Sequence, residues 1–257
     1  MTQRRDFIKQ LGLGSIGLSI APSLAFKHTV PFVTDMRSLR ILFQGDSITD
    51  GGRWPDSNDW NHLVGQSYPY LISAKLGFDY PNRDLLFFNR GVSGNTVTDL
   101  KRRWQKDCLA LKPDILSVLV GINDVNAVIH DRPGAGTVNS FESDYREILQ
   151  QARALNPQLV IILCDPFVFP QAAITAIFEK YALELNQRQE VVQRLAVEFK
   201  AIHLPLWTAF KKAIKLAPIS HWCWDGVHPM PAGHELIARA WIKATSKSLG
   251  IQSGVEY

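Results

Sequence analysis

A chain of 257 residues with 46% apolar and 20% charged side chains has the make-up of an ordinary globular protein, and its length suits one α/β domain. The formal net charge is +4, and only +2 remains without Arg4, Arg5, Asp6 and Lys9 of the N-terminal segment. So weak a bias, with no basic stripe along one helix face, excludes nucleic acid as an expected partner.

Residues 1–25 read as an export leader. Arg4-Arg5-Asp6-Phe7-Ile8-Lys9 has the twin-arginine form, residues 11–21 are a short apolar run softened by Gly and Ser, and Ser23 and Ala25 are small enough for signal-peptidase cleavage after Ala25. The run falls short of the roughly 20 residues of a membrane span. The mature protein is therefore expected in the periplasm or outside the cell, with no membrane span. Residues 26–38 are taken as a linker and 39–250 as the folded domain.

Within that domain, short apolar runs alternate with segments of helical period. Residues 39–44 form a strand ending at Gly45, and the Gly- and Asp-rich stretch 51–65 reads as a long surface loop. A helix over 68–76 stops at Gly77, and a second strand covers 85–89. Thr96 and Asp99 are spaced as a capping box that opens a helix over 96–111, closed by Pro113, with Val97, Leu100, Trp104, Cys108 and Leu111 on one face. The strand at 115–120 has little polar alternation, as expected when both faces are covered. A helix over 141–155 ends before Asn156-Pro157, and a strand follows at 159–164. A long helix from about 174 to 199, a short strand at 201–204, and helices over 207–216 and 232–249 complete the pattern. Parallel strands joined by helices predict an α/β fold, a three-layer α/β/α sandwich around a central, mainly five-stranded parallel sheet.

Four short blocks stand out against that frame: Gly45-Asp46-Ser47, Gly91-Val92-Ser93-Gly94, Gly121-Ile122-Asn123-Asp124 and Asp225-Gly226-Val227-His228. The first three each follow a strand, so they emerge at the carboxyl edge of one sheet, where open α/β sheets build their sites. Their residue types suit acyl transfer. A serine hydroxyl attacks an ester at neutral pH only with a base in hydrogen-bond reach and donors aimed at the developing oxyanion. Ser47 supplies a hydroxyl at a strand-to-helix turn and a backbone N–H, Gly94 a backbone N–H with no Cβ in the way, and Asn123 a side-chain amide. His228 is placed to take the proton, with Asp225 fixing its tautomer. On this basis activity should rise with pH as His228 loses its proton.

Other residues carry less. Asp46 and Asp124 are expected to hydrogen-bond within their loops, Arg53 to pair with a loop carboxylate, and His221 to be a polar loop residue. Trp54, Trp60 and Trp224 lie in loops that could flank a site, and Trp224 and Trp54 are the candidates for a pocket wall. Three cysteines permit at most one disulfide. Cys108 and Cys164 read as buried hydrophobes, and Cys223 has no base arrangement that Ser47 does not explain better. The metal-bridging His pairs of a two-metal phosphoesterase are missing, and neither metal nor cofactor is expected.

Gly45-Asp46-Ser47-Ile48-Thr49-Asp50, the block-two glycine, Gly121-x-Asn123-Asp124 and Asp225-x-x-His228 together resemble the SGNH (GDSL-type) hydrolase superfamily over nearly all of residues 39–250. The likeness is closest to the acetylxylan-esterase-like branch of carbohydrate acetylesterases, through Gly45 to Arg53, Asn89 to Val97 and Trp224 to Pro229. It implies the flavodoxin-like fold of that superfamily and an SGNH catalytic domain. It also implies Ser47 as nucleophile, His228 and Asp225 completing a triad, Ser47, Gly94 and Asn123 as the oxyanion hole, and no cofactor. The implied activity is a serine esterase that cleaves short-chain carboxylic esters, above all O-acetyl groups on polysaccharides or oligosaccharides such as xylan, through an acyl-enzyme. A lysophospholipase or thioesterase of the same superfamily is the alternative, and a non-catalytic carbohydrate-binding protein on the same fold is the reading from another class. Several family members self-associate, so a homo-oligomer would fit.

Overall fold

The computed structural model describes residues 39–251; the expected leader at 1–25 and the linker at 26–38 lie outside the described residues. Strand β1 (Leu39–Gly45) runs into a single turn, α1 (Ser47–Asp50), followed by α2 (Trp60–Val64) and α3 (Tyr68–Asp79). Next come β2 (Leu85–Gly91) and α4 (Val97–Asp107), then β3 (Ile115–Leu119), α5 (Ile122–Ile129) and α6 (Val138–Leu155). The chain continues through β4 (Val160–Cys164), α7 (Phe178–Glu198), β5 (Ile202–Leu204), α8 (Leu206–Ala213), α9 (Ile219–Trp222) and α10 (Pro231–Leu249).

The strands form one five-stranded sheet in the order β2-β1-β3-β4-β5, and every pairing is parallel. Period-2 alternation sends successive side chains to opposite faces. Ile41 and Phe43 of β1 join the core under α3, α8 and α10, while Leu42 joins the core under α4, α6 and α7. In β4, Ile162 and Cys164 face the first core and Ile161 and Leu163 the second. Both faces are therefore apolar and covered, and the layers are the expected α/β/α sandwich. A buried polar pair crosses the layers: Ser117 on β3 is fully buried, and its hydroxyl accepts the Trp241 indole N–H at 3.1 Å.

Register places the site. Gly45 pairs with Gly91 on one side and with Leu119 on the other, so the segments that begin at Asp46, Val92 and Val120 leave the sheet side by side. Most expected elements are present, and the capping box at Thr96 is complete. Several details differ, among them α3, which runs past Gly77 to Asp79, and α9, which was not expected. The stretch 51–65 is not all loop, because the Asp59 carboxylate accepts the Asn61 N–H at 2.8 Å and starts α2. Residues 122–129 form a helix that the Asn- and Asp-rich block had disguised. The helix expected from about 174 begins as a 3-10 turn over Ala172–Ile177 and becomes α only at Phe178. Cys108, Cys164 and Cys223 are all free and buried.

Candidate active site

The segment that carries Ser47 begins where β1 ends. Gly45 has no room for a Cβ, which would collide with the Thr49 side chain and the Leu119 carbonyl. Asp46 then caps α1, its Oδ1 accepting the Ile48 N–H at 3.0 Å. The Asp46 carboxyl is fully buried, with Oδ2 lacking a partner among the described residues. Burial pushes its pKa up to about 7, against the pull of the Ile48 N–H and the nearby His228. Ser47 is the first residue of the turn, and its Oγ lies 2.8 Å from His228 Nε2. Nothing among the described residues accepts the Ser47 N–H.

The second segment, 91–97, is gripped almost amide by amide. The Gly91 N–H goes to Asn89 Oδ1 (2.8 Å), Val92 to the Gly45 carbonyl (3.1 Å), Ser93 to Asp50 Oδ2 (3.1 Å) and Asn95 to the Val92 carbonyl (3.1 Å). Thr96 donates to Asp99 Oδ2 (3.0 Å) and Val97 to the Asp124 carboxylate (3.2 Å to Oδ1). Gly94 is the exception. Its N–H has no partner among the described residues, its φ is +83°, and the space a Cβ would enter is open. A buried amide is rarely left unmade, but this one is exposed and available to a substrate oxygen. Asn123 stands beside it on α5. Its side-chain NH2 gives one hydrogen to the Asn95 carbonyl at 3.1 Å, and a primary amide has a second to give.

Asp225 and His228 sit on one small loop. The loop is closed by the antiparallel bridge between Cys223 and Pro229 and by the Trp224 N–H donating to the His228 carbonyl at 3.1 Å. Asp225 Oδ1 accepts the N–H groups of Val227 (2.9 Å) and His228 (2.7 Å), and Oδ2 lies 2.7 Å from His228 Nδ1. Partial burial pushes this carboxyl up, but the Asp225 pKa is held below the ordinary value by the His228 N–H, the imidazole and the Val227 N–H. A carboxylate can only accept, so Nδ1 carries the ring proton and Nε2 is left as an acceptor facing the Ser47 hydroxyl. Gly226, at φ +91°, has no space for a side chain because Phe169 packs against it, with the Phe169 N–H donating to the Gly226 carbonyl at 2.9 Å.

The expected pocket-wall residues part company. Trp224 is 60% exposed and its ring stacks on His228, 5.7 Å between centroids at 19°. Trp54 is equally exposed, but its partner is His62, which its ring meets edge-on at 6.1 Å. No hydrogen bond or ring contact joins Trp54 to Ser47 or His228 among the described residues. His221 packs edge-on against Trp222. Asp124 is not the loop carboxylate expected; it sits in the first turn of α5 and accepts the Val97 N–H of the second segment, and burial pushes it up to about 7. Burial also pushes the Cys223 thiol up to about 12, far from a reactive thiolate. No three metal-ligating side chains cluster among the described residues.

Two participants were not read from the sequence. Asp50 accepts both the N–H and the hydroxyl of Ser93, and His234 on α10 accepts the Tyr68 N–H through Nδ1 at 3.3 Å. The repeated Asp of Gly45-Asp46-Ser47-Ile48-Thr49-Asp50 was visible, but its partner 43 residues away was not.

Residues 43–236 match the model of the GDSL-like lipase/acylhydrolase family. An acetylxylan esterase from Geobacillus stearothermophilus is 33% identical over 207 residues, spanning 79% of this chain and 92% of that protein. A solved structure from Parabacteroides merdae, assigned as a GDSL-like lipase, superposes with a TM-score of 0.75 at 36% identity, covering 82% of this chain and 96% of that one. A point mutant of Axe2, an acetyl-xylooligosaccharide esterase from Geobacillus, gives 0.74 at 30% identity, covering 85% and 97%.

Proposed function

The chain belongs to the GDSL-like lipase/acylhydrolase family, and from that premise we propose that it removes acetyl groups from xylan-type polysaccharides or their oligosaccharides, with Ser47 as nucleophile. That it is a carboxylic ester hydrolase acting on a small-molecule or carbohydrate ester follows from the family and the acetylxylan esterase relative. The observation that carries the finer reading is one continuous line of hydrogen-bond contacts. Ser47 Oγ, His228 and Asp225 are linked at 2.8 and 2.7 Å, beside two backbone N–H groups, of Ser47 and Gly94, that nothing in the described chain uses.

In this mechanism His228 Nε2 takes the Ser47 proton as Oγ bonds to the ester carbonyl carbon. The carbonyl oxygen becomes an oxyanion held by the N–H groups of Ser47 and Gly94 and the second Asn123 amide hydrogen. When the tetrahedral intermediate collapses, the sugar oxygen leaves with the proton from His228, and acetyl remains on Ser47. Water then repeats the sequence with its proton going to His228, releasing acetate and restoring the serine. Asp225 holds the imidazole and stabilises its charged form throughout.

Acetyl and carbohydrate specificity are supported by openness. Gly94 is exposed, the His228 side chain is 38% exposed, and the Trp224 face stands in solvent. Such a surface suits a large polar alcohol carrying a small acyl group, with an aromatic face for a sugar ring. A long acyl chain calls for a deep apolar tunnel instead. The test is the initial hydrolysis rate of aryl esters of increasing acyl length, alongside acetate release from acetylated xylan, with Ser47→Ala as control. Sharp preference for acetyl plus acetate release supports the deacetylase. A maximum at long chains moves the assignment to a lysophospholipase or thioesterase, and turnover that does not depend on Ser47 overturns it. We further propose that residues 1–25 are a twin-arginine leader that sends the enzyme to the periplasm or outside the cell. Replacing Arg4 and Arg5 by Lys should hold the unprocessed chain inside.

A further inference from the structure

Gly94 has little of its own to aim it. It has no side chain, its N–H is free, and the space around it is open. The direction of that N–H is therefore inherited from its neighbours, Ser93 and Asn95. Ser93 is held by one group, Asp50 Oδ2, which accepts the Ser93 N–H at 3.1 Å and its hydroxyl at 2.7 Å. Asp50 ends the single turn that Ser47 begins, so its carboxylate moves in the same rigid frame as the nucleophile.

The surroundings fit a strut. Arg53 Nε stands 3.6 Å from the other carboxylate oxygen and donates to the Gly91 carbonyl at 2.7 Å, tying the start of the same loop to the same turn. The Asn89 amide donates to the carbonyls of Thr49 (2.7 Å) and Asp50 (3.3 Å), while its Oδ1 takes the Gly91 N–H. Beyond Gly94, Asn123 holds the Asn95 carbonyl. Both sides of Gly94 are thus fixed, one to the helix turn of Ser47 and one to the helix of Asn123.

We propose that Asp50 is a positioning residue which, through its double grip on Ser93, aims the Gly94 N–H at the oxyanion formed on Ser47. Its role rests on the proposed roles of Ser47 and Gly94. An oxyanion donor acts fully only in the transition state, and a misplacement of about 1 Å can cost on the order of 100-fold. Removing the strut therefore lowers kcat and leaves ground-state binding nearly intact.

The experiment measures kcat and KM for 4-nitrophenyl acetate, and the inhibition constant of an aryl boronic acid whose tetrahedral adduct on Ser47 occupies the oxyanion position. Asp50→Ala is expected to lower kcat by about 10- to 100-fold, with KM within about threefold and boronic acid affinity weakened in step with kcat. Asp50→Asn keeps a carbonyl acceptor for one Ser93 donor and recovers part of the loss. Ser93→Ala loses the hydroxyl contact only, so its effect is smaller and adds nothing to Asp50→Ala in the double variant. A purely structural Asp50 would instead lower the melting temperature and leave kcat of the folded enzyme and boronic acid affinity unchanged, and that result overturns the strut. Should Asp50→Ala fail to fold, wild-type kcat in both Asp50→Asn and Ser93→Ala overturns it equally. Ser47→Ala separates the two levels. An inactive Ser47→Ala beside a fully active Asp50→Ala sinks the strut alone, whereas an active Ser47→Ala sinks the nucleophile assignment beneath it.

Discussion

On one side of the site, Ser47, Gly94 and Asn123 are held by groups far away in sequence: Asn89 on Thr49 across 40 residues, Ser93 on Asp50 across 43, Asn123 on Asn95 across 28 and Val97 on Asp124 across 27. On the other side, Asp225 binds the N–H groups and ring of residues only two and three positions on. The first half is part of the fold, and its carboxylates Asp46 and Asp124 are buried. The second is a half-exposed loop whose internal geometry is local, joined to the first through the Ser47–His228 contact across 181 residues. Substitutions in the Asp225–His228 loop should therefore change chemistry and spare stability, whereas those in the half that carries Ser47 should change both.

Asp225→Asn is the sharpest way to break that contrast. The Asn carbonyl can keep the two backbone N–H groups, so the loop stays closed. Its NH2 then faces His228 Nδ1 and forces the ring proton onto Nε2, pointing a donor at Ser47 Oγ. We expect kcat for 4-nitrophenyl acetate to fall by about 10⁴-fold with an unchanged urea midpoint. Turnover at the wild-type rate would remove Asp225 from the mechanism.

Asn123→Ala comes next and tests the other half. It deletes the proposed oxyanion donor and also releases the Asn95 carbonyl, so loss of turnover and loss of stability are expected together. kcat should drop by about 100- to 1000-fold, and the thermal midpoint should fall. A change confined to KM would contradict an oxyanion role.

The same local-versus-distant contrast decides what was legible in the sequence. Asp225, Gly226 and His228 could be read because their geometry is written in adjacent positions, and so could the Thr96–Asp99 capping box. The five strands showed as apolar runs because both sheet faces are covered. Helix α5 was missed because Gly121, Asn123, Asp124 and Asn126 look like a loop, while its buried residues Ile122, Val125 and Ala127 are too few to set a period. Trp54 and Trp224 were equivalent as loop aromatics, and only tertiary placement separates the one that meets His62 from the one that meets His228. Asp50 stood in plain view, but its function belongs to a residue on another strand's loop.

A pH titration of stability sharpens the comparison from the side of the fold. His234 is half-buried and accepts the Tyr68 N–H, and the Tyr68 hydroxyl in turn bonds Thr49 Oγ1 at 2.9 Å, so this histidine supports the turn that carries Ser47. Burial lowers its pKa from 6.5 to about 4, helped by His228. Above about pH 6.5 both folded and unfolded chains hold it neutral and its full contribution is present. Between 6.5 and 4 the unfolded chain takes a proton that the native site refuses, so stability is lost as pH falls. Asp46 and Asp124, raised to about 7, work in the opposite direction, with native protonation adding stability below that pH. The difference between wild type and His234→Gln isolates the histidine. Wild type should lose about 1–3 kcal/mol relative to His234→Gln between pH 7 and pH 4, read from urea midpoints. Parallel curves would mean that His234 titrates normally.

The smallest effect is expected at Trp224, and it asks whether the exposed half of the site reads the substrate. The ring is 60% exposed and stacks on His228, so Trp224→Ala removes little buried surface and should leave unfolding almost unchanged. Two functions remain for the indole face: steadying the imidazole and carrying a sugar ring. They separate by substrate. Steadying His228 affects 4-nitrophenyl acetate and acetylated xylo-oligosaccharide alike, whereas a sugar platform affects only the second and does so mainly through KM. We expect Trp224→Ala to lower kcat/KM by about threefold on the aryl ester and by about tenfold on the oligosaccharide, an added loss of the size of one aromatic stacking contact. Trp224→Phe should recover most of both, because a flat ring is retained. Equal losses on the two substrates would assign the indole to His228 alone and leave carbohydrate recognition to residues elsewhere on the open edge of the sheet.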